Sequence, residues 1–302
     1  MQVYDIDVGR WRRFDDLYYK YWVSDLGGFK ASDRAFFVGG FTEDYRALAR
    51  VFSIDPIASW EEGTLQILRH RNLIHRRGDV GVTVDAEETF AYVSGGSTDA
   101  NSFCTPLNSV ERYNLTTREW IEMAPLQQGR AGKTVIEIEN QLVALGGAQQ
   151  IGKMCKQNAS NPSDMQTPVY EIEAYDDGIG RWDIIDNLSD YRFRSTSVVY
   201  NDKVYSFGGQ TRYFSQCMCH PTVDDVRIYN EDSPDGVYAG SDMINEWQPN
   251  FGEKEAPEED PLIVNGEYQY DSLRANSGST SQSTTMSAVA TVSICMFTVA
   301  FL

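Results

Sequence analysis

The residues that could bind a metal ion in this sequence are few and poorly spaced. The run Cys217-Met218-Cys219-His220 carries two kinds of zinc ligand, but one residue between the cysteines is too few for the usual zinc spacing. A disulfide or a free thiol on a loop is the favoured interpretation. The chain has three histidines, His70, His75 and His220, and they form no recognisable ligand set. The sequence therefore predicts no metal and no other cofactor.

Motifs for covalent or hydrolytic catalysis are also missing. The sequence contains neither a Gly-x-Ser-x-Gly nucleophile elbow nor a glycine-rich phosphate loop. Acidic pairs such as Asp176-Asp177 and Asp224-Asp225 fall in predicted turns or at strand starts. No hydrolase pair can be singled out among 44 acidic residues. The sequence favours a binding protein over an enzyme.

Arginines before β-branched runs are the best candidates for ligand binding. Arg77, Arg130 and Arg194 precede the runs 80–84, 134–138 and 195–200. A planar guanidinium can bond a carboxylate bidentately, so a set of three suits a carboxylate or an acidic peptide. The alternative is that these arginines cap loops or pair with acidic residues of the chain, namely Asp79, Glu139 or Asp190.

The elements that would position these arginines are repeated along the chain. Four hydrophobic strands end in paired glycines, and their first glycines are 56, 51 and 62 residues apart. The pairs are Gly39-Gly40, Gly95-Gly96, Gly146-Gly147 and Gly208-Gly209. A period near 50 residues indicates a repeat architecture in which each unit is one small β-sheet.

An aromatic residue followed seven or eight positions later by tryptophan is the second repeated feature. Turn residues lie between the two members of each step, which predicts two strands joined by a tight turn. The steps are Tyr4 to Trp11, Phe52 to Trp60, Tyr113 to Trp120 and Tyr175 to Trp182. Together with the glycine pairs, this pattern resembles the kelch repeat from the start of the chain to about residue 230.

The resemblance implies an all-β fold, a kelch-type β-propeller of about four blades. Each blade is a four-stranded antiparallel sheet packed against its neighbours. The glycines would lie where a side chain collides with the next blade, while Tyr and Trp would bridge blades. The three arginines would line one face at the mouth of the central channel. The copper-radical oxidases of this fold class need two His and two Tyr on one metal, and no such set is visible.

The two ends depart from a complete ring. Residues 3–11 already read as the last two strands of a blade, which could either complete the fourth blade or indicate a sequence truncated at its N-terminus. We expect a propeller over residues 1–230, an acidic and then Ser/Thr-rich linker over 231–285, and a hydrophobic segment over 286–302. The charged residues of the linker up to Asp271 are all acidic except Lys254, and its composition predicts disorder.

The hydrophobic end resembles a glycolipid attachment signal. Residues 286–302 carry no charge and follow a polar spacer, with Asn276, Ser277 or Gly278 as the plausible attachment residue. A membrane-spanning tail is the alternative. Three sequons, at Asn114, Asn158 and Asn187, favour an exported glycoprotein, although the N-terminus has no secretory signal.

Charge and cysteine content restrict the partners. A net charge of −18 makes a basic face for nucleic acid or anionic lipid a poor expectation. Cys104, Cys155, Cys217 and Cys219 could form two disulfides in an exported protein, while Cys295 lies in the apolar tail. We therefore expect a non-enzymatic, cell-surface module that binds a protein or a glycan and is held by its tail. The alternative is an intracellular (cytoplasmic) kelch scaffold or adaptor.

Overall fold

Four four-stranded antiparallel sheets make up most of the described molecule. In the computed structural model, the described residues are 1–5, 9–14, 23–44, 46–98, 106–149, 167–188, 191–201, 203–212, 214 and 220–229, with the backbone of 237–238, 263–264 and 267–268. The four sheets are the blades of a propeller arrangement, so the predicted all-β class and architecture are confirmed.

The chain begins with a hairpin, β1 (Gln2–Asp5) and β2 (Arg10–Arg13), which forms a separate two-stranded sheet. Tyr4 pairs with Trp11 across it, with ring centroids 5.0 Å apart. Met1 packs against the apolar cluster of Phe37 and Phe52 in the first blade. The hairpin thus lies beside blade 1 and does not complete the fourth blade, which has four strands of its own.

Blade 1 contains a helix between its last two strands. Its strands are β3 (Gly27–Ala31), β4 (Arg34–Val38), β5 (Val51–Asp55) and β6 (Gln66–Arg69), and α1 (Pro56–Glu62) lies between β5 and β6. Asp55 caps α1 by accepting a hydrogen bond from Ala58 N at 2.9 Å, and Pro56 occupies the first turn. Both residues favour helix initiation. The Asp55 side chain satisfies a backbone N–H of the first turn, and proline lacks the N–H that would stay unpaired there.

This helix corrects one predicted aromatic step. Phe52 pairs with Arg69 in the sheet, whereas Trp60 lies in α1. Trp60 stacks instead against Arg10 and Arg12 of the N-terminal hairpin, whose guanidinium carbons are 5.8 and 5.5 Å from its ring centroid. The spacing from Phe52 to Trp60 resembled the other steps because the Asp55-Pro56 cap could also be read as a tight turn.

Blades 2, 3 and 4 follow in order. Blade 2 consists of β7 (Gly81–Val84), β8 (Phe90–Ser94), β9 (Val110–Asn114) and β10 (Glu119–Met123). Blade 3 consists of β11 (Thr134–Ile138) and β12 (Gln141–Leu145), then a short pair β13 (Ala148–Gln149) and β14 (Thr167–Pro168), then β15 (Glu171–Asp176) and β16 (Arg181–Asn187). Blade 4 consists of β17 (Thr196–Tyr200), β18 (Lys203–Phe207), β19 (Val226–Tyr229) and β20 (Val237–Tyr238).

The inner strands pack next to one another around the axis, β3 against β7, β7 against β11, and β11 against β17. The inner strands of blades 2, 3 and 4 coincide with the three β-branched runs that follow the arginines. Blade 1 takes its inner strand from Gly27–Ala31, a run that the sequence pattern did not single out. A glycine-rich strand lacks the β-branched signature of the others.

Tryptophan ties blades 2 and 3 each to the preceding blade. Trp182 of β16 is fully buried against Tyr175, and its Nε1 donates to the carbonyl of Ala124, which follows blade 2, at 3.0 Å. Trp120 of β10 donates in the same way to the carbonyl of Arg71, which follows blade 1. The large ring fills the interface between two blades while its one polar atom is satisfied.

The paired glycines all have positive φ, and Gly95 and Gly96 illustrate why. A Cβ on Gly95 would lie 2.4 Å from the carbonyl oxygen of Arg130, and one on Gly96 would lie 2.4 Å from that of Gly78. Their φ values of 54° and 89° also disfavour any residue with a side chain. These positions therefore require glycine for both conformation and space.

The chain divides into two compact units. One comprises Met1–Met243 with Cys295–Leu302, and the other is Ile244–Ile294. In the second unit, β21 (Ile263–Val264) and β22 (Glu267–Tyr268) pair as a hairpin. The domain boundaries expected at residues 230 and 285 stay predictions.

Candidate binding face

One face of the propeller carries both the predicted arginines and the long loops. In each blade, the loop that enters the inner strand and the loop between the second and third strands emerge at the same end, because consecutive strands are antiparallel. We call this end the loop face. Loops on a rigid sheet scaffold are where binding residues concentrate, so this face is the candidate site.

A backbone layer holds these loops above the sheets. In every blade, a residue before the inner strand and the residue after the glycine pair form an antiparallel bridge and exchange two backbone hydrogen bonds. The pairs are Ser24 with Phe41, Gly78 with Ser97, Ala131 with Ala148, and Phe193 with Gln210. The base of each loop is consequently fixed by the scaffold.

Two of the three predicted ligand arginines are structural. Arg77 and Arg130 are fully buried, and each binds a fully buried glutamate of the same blade. Arg77 Nη2 is 2.7 Å from an oxygen of Glu111, and Arg130 Nη2 is 2.5 Å from one of Glu173. The expectation that these guanidinium groups line an open face is wrong, because the chain itself supplies their carboxylates.

The glutamates are also satisfied by backbone donors. Glu111 accepts hydrogen bonds from the N–H groups of Ile74 and His75, and Glu173 accepts them from Gln127 and Gln128. Burial lowers the pKa of Arg77, while Glu111 raises it in partial compensation. Each pair therefore anchors the loop that enters its blade.

The sequence contained a signal for these glutamates. Glu111 and Glu173 each lie two positions before the repeated tyrosine, Tyr113 or Tyr175. In blade 2, Glu111 pairs with the residue two positions before the glycine pair. Phe52 of blade 1 pairs with the residue at that same position, so blade 1 has a phenylalanine where blade 2 has the glutamate. The buried ion pair is thus a feature of individual blades.

Arg77, Arg130 and, before blade 4, Arg192 also link consecutive blades through their main chain. The N–H of the second glycine of a pair donates to the carbonyl of the arginine that enters the next blade. These bonds run from Gly40 to Arg77 at 2.9 Å, from Gly96 to Arg130 at 2.9 Å, and from Gly147 to Arg192 at 3.0 Å. We call each of them a glycine link.

Blade 4 holds a variant of the ion pair. Arg192 Nη2 is 2.7 Å from Asp225, which directly precedes β19, and its Nη1 donates to the carbonyl of Gly208 at 2.8 Å. Asp225 has its pKa lowered by the hydrogen bond from Arg192. Arg192, which lies beside the predicted Arg194, is the counterpart of Arg77 and Arg130.

Arg194 lies instead on the rim of the channel, with about a third of its side chain exposed. It pairs with Asp79 of blade 2 at 3.4 Å, one of the acidic partners expected in the alternative interpretation of the arginines. Burial raises the pKa of Asp79, and Arg194 opposes that effect.

The rim consists of four residues in the left-handed backbone conformation, one from each blade, joined by backbone hydrogen bonds. Asp79 N donates to Asp25 O at 2.8 Å, Gly132 N to Asp79 O at 2.9 Å, and Arg194 N to Gly132 O at 2.6 Å. The φ values of Asp25, Asp79, Gly132 and Arg194 lie between 50° and 60°. The channel mouth is therefore closely tied together.

The loop face carries exposed apolar side chains, which the sequence pattern did not predict. Ile74, Tyr170 and Phe214 are 47%, 40% and 42% exposed. Ile74 lies in the connection from blade 1 to blade 2, while Tyr170 and Phe214 lie between the second and third strands of blades 3 and 4. Close by, exposed His75 pairs with Glu122 of β10. Apolar and aromatic groups on fixed loops are typical of protein-binding surfaces.

The histidines do not meet in the structure. His70 lies between Ser53 Oγ at 2.8 Å and Tyr113 Oη at 3.3 Å, and His220 Nδ1 is 3.0 Å from the carbonyl of Thr211. Within the described ranges, no group of three or more His, Cys, Asp or Glu could hold a metal ion.

Only some of the predicted modification sites lie among the described residues. Asn187 is exposed, whereas Asn114 is half-buried and its side chain accepts hydrogen bonds from the N–H groups of Thr116 and Thr117. Outside the described residues lie Asn158, the attachment candidates Asn276, Ser277 and Gly278, the tail 286–302 and all five cysteines. In the part of the chain that is described, no helix is both long and apolar enough to cross a membrane.

Known proteins resemble this chain in sequence. A family model described as "Kelch motif" matches residues 91–127. Kelch-like protein 23 of Homo sapiens is 26% identical over 239 residues, covering 76% of this chain and 35% of the relative. Kelch repeat and BTB domain-containing protein 12 of Danio rerio is 27% identical over 156 residues, covering 49% and 22%. The match thus spans about a third of the length of the first relative.

A solved structure supports the fold. The protein titled "Structure of YjhT" superposes with a TM-score of 0.61 at 16% identity, covering 76% of this chain and 72% of the other. At this identity the likeness concerns architecture alone. The sequence matches and the blade geometry agree with the predicted repeat.

Proposed function

Because this chain is a kelch-repeat β-propeller, we propose that it is a non-enzymatic module that binds another protein through its loop face. The observation that carries the proposal is the exposure of Ile74, Tyr170 and Phe214 on loops whose bases are fixed by the scaffold. Rigid loops lose little entropy when they bind, so exposed apolar groups on them contribute efficiently to affinity.

The charge distribution argues against a carboxylate ligand at the channel mouth. The guanidinium groups of Arg77 and Arg130 are occupied by internal glutamates, and Arg194 is paired with Asp79. An apolar and aromatic contact with a protein surface fits this face better than bidentate recognition of an acidic peptide. A glycan ligand has no specific support among the described residues.

Similarity to kelch-like proteins favours the intracellular scaffold or adaptor over the cell-surface module. The cell-surface interpretation depends on the tail 286–302 and the sequons. Cell fractionation of the full chain, with phospholipase and glycosidase treatment, separates the two. A membrane-bound, glycosylated product released by phospholipase would return the cell-surface module to first place.

Binding through the loop face is tested by substitution. A triple variant, Ile74→Asp, Tyr170→Asp and Phe214→Asp, should lose the proteins that co-purify specifically with the wild-type chain, as measured by quantitative mass spectrometry. The matched control is Ile57→Asp with Ile179→Asp, because both are exposed, at 61% and 58%, in connections at the opposite face.

The control should retain the same partners. If the control loses them and the loop-face variant keeps them, binding occurs elsewhere and the proposal is wrong. Circular dichroism of each variant guards against loss of the fold.

A further inference from the structure

One side of blade 4 carries apolar side chains that remain accessible. Val198, Tyr200 and Phe207 are 49%, 62% and 40% exposed, and Tyr205 and Ile228 are partly buried. The register puts these five residues on the same side of the sheet, since Val198 pairs with Tyr205 and Tyr205 pairs with Ile228. The rings of Tyr200 and Tyr205 lie 6.4 Å apart. We call this side the open face.

The equivalent side of blade 3 shows what such a face normally contacts. Ile136 is the third residue of β11, as Val198 is of β17, and it pairs with Val143, which pairs with Ala174. These three residues are only 4%, 7% and 2% exposed, because Val204 of blade 4 packs on them. The side chains at matching positions thus differ in exposure according to whether a further blade covers them.

The glycine links indicate independently that the interface at the open face is incomplete. The second glycines of blades 1, 2 and 3 each donate to a carbonyl that enters the following blade. Gly209 is the fourth of this set and also has positive φ, 98°, but no described residue accepts a hydrogen bond from its N–H. Gly209 is half-buried, whereas its three counterparts, Gly40, Gly96 and Gly147, are buried.

The two observations describe one incomplete interface. An apolar patch and a backbone donor without a described acceptor occur together at the positions where the three internal interfaces have a covering sheet and a carbonyl. We propose that the open face is a docking surface for one further kelch-type blade. That blade would supply a loop carbonyl to Gly209 N and small or β-branched side chains to Val198 and Tyr205.

Blade 4 already shows the chemistry of the required partner. Its other side, with Val204 and Ser206 exposed by only 6% and 4%, is the side that covers blade 3, and the carbonyl of Arg192 receives the N–H of Gly147. A second copy of this blade therefore presents the side chains and the carbonyl that no described residue supplies to the open face.

The experiment uses the full chain with residues 188–238 repeated once, directly after Tyr238. Hydrogen exchange of the Gly209 amide is measured by NMR in the tandem and the unmodified chains. Docking of the added blade should slow exchange at Gly209 by roughly tenfold or more, since the amide would become bonded and buried. Exposure of Tyr200, measured by fluorescence quenching, should fall in parallel.

The matched control is the same tandem chain with Val204→Asp in the added copy alone, which spoils the covering side without touching the open face. It should leave Gly209 exchanging as in the unmodified chain. Unchanged exchange in the tandem chain, or equal slowing in the control, would overturn the proposal.

An added copy that remains unprotected throughout would contradict it as well, because a fitting face would hold that blade folded. Analytical ultracentrifugation of the unmodified chain covers the other possible occupant. A dimer that dissociates in Tyr200→Lys and already protects Gly209 would assign the open face to a second copy of the chain and overturn the proposal.

Discussion

Arg77 of the loop entering blade 2 binds Glu111 of the third strand of that blade at 2.7 Å, and both side chains are fully buried. Breaking a buried pair leaves an uncompensated charge, which typically costs about 3–5 kcal/mol. We expect Glu111→Ala to lower the free energy of unfolding by that amount in urea denaturation.

The control is the exposed pair of Arg71 and Glu119, whose side chains are 69% and 57% exposed. Glu119→Ala should change stability by less than about 1 kcal/mol, because exposed pairs contribute little. Equal effects of the two substitutions would show that the buried pair has no special structural role.

Gly96→Ala should destabilise the propeller strongly. The left-handed backbone alone costs a side-chain-bearing residue about 1–3 kcal/mol, and overlap with the carbonyl of Gly78 adds to this. Gly28→Ala is the matched control, since a Cβ there comes no closer than 3.5 Å to Phe36 O. It should be neutral or stabilising by up to about 1 kcal/mol. Thermal unfolding of both variants checks the contrast, which a similar loss in each would refute.

Trp182→Ala should cost about 3–5 kcal/mol, because it removes a fully buried ring and its hydrogen bond to Ala124. Trp11 has the same repeat position in the N-terminal hairpin but is 53% exposed. Trp11→Ala should cost less than about 1 kcal/mol. Chemical denaturation of the two variants measures the difference, and a larger loss for Trp11 would mean that repeat position, not burial, decides the contribution.

His70 makes stability depend on pH. Burial, with Arg118 and Arg34 nearby, lowers the pKa of His70 from 6.5 to about 4. Arg34 Nε donates to Ser53 Oγ, so the Ser53 hydroxyl can give its proton to a neutral His70. The folded state therefore binds fewer protons than the unfolded state between these two pKa values, and stability falls as pH drops from about 6.5 to about 4.

Urea midpoints of the wild type and His70→Gln at pH 7 and pH 4.5 isolate this contribution, because other titrating groups are common to both. The wild type should lose more stability than the variant over this interval. An equal or smaller loss in the wild type would exclude His70 as the responsible group.

The prediction from sequence succeeded where a residue type has a single structural use. Paired glycines can tolerate positive φ and close carbonyls, and Tyr113 with Trp120 must lie opposite each other once a tight turn joins their strands. It failed at Phe52 and Trp60, where a cap and a proline started a helix in place of the turn. It left Arg77 and Arg130 open between ligand binding and internal pairing, since an arginine before a strand is compatible with both an exposed and a buried guanidinium, and it did not identify Glu111 and Glu173 as their partners.

Local spacing by itself determined the repeat, the all-β class and the positions of the glycine pairs, because strand period and turn chemistry are properties of neighbouring residues. Only the tertiary structure decided which groups are available to a partner. Glu111 reaches Arg77 from 34 residues away, Asp79 reaches Arg194 from 115 away, and the open face of blade 4 differs from its counterpart on blade 3 because the latter is covered. Burial and pairing depend on contacts distant in sequence, which no local pattern specifies.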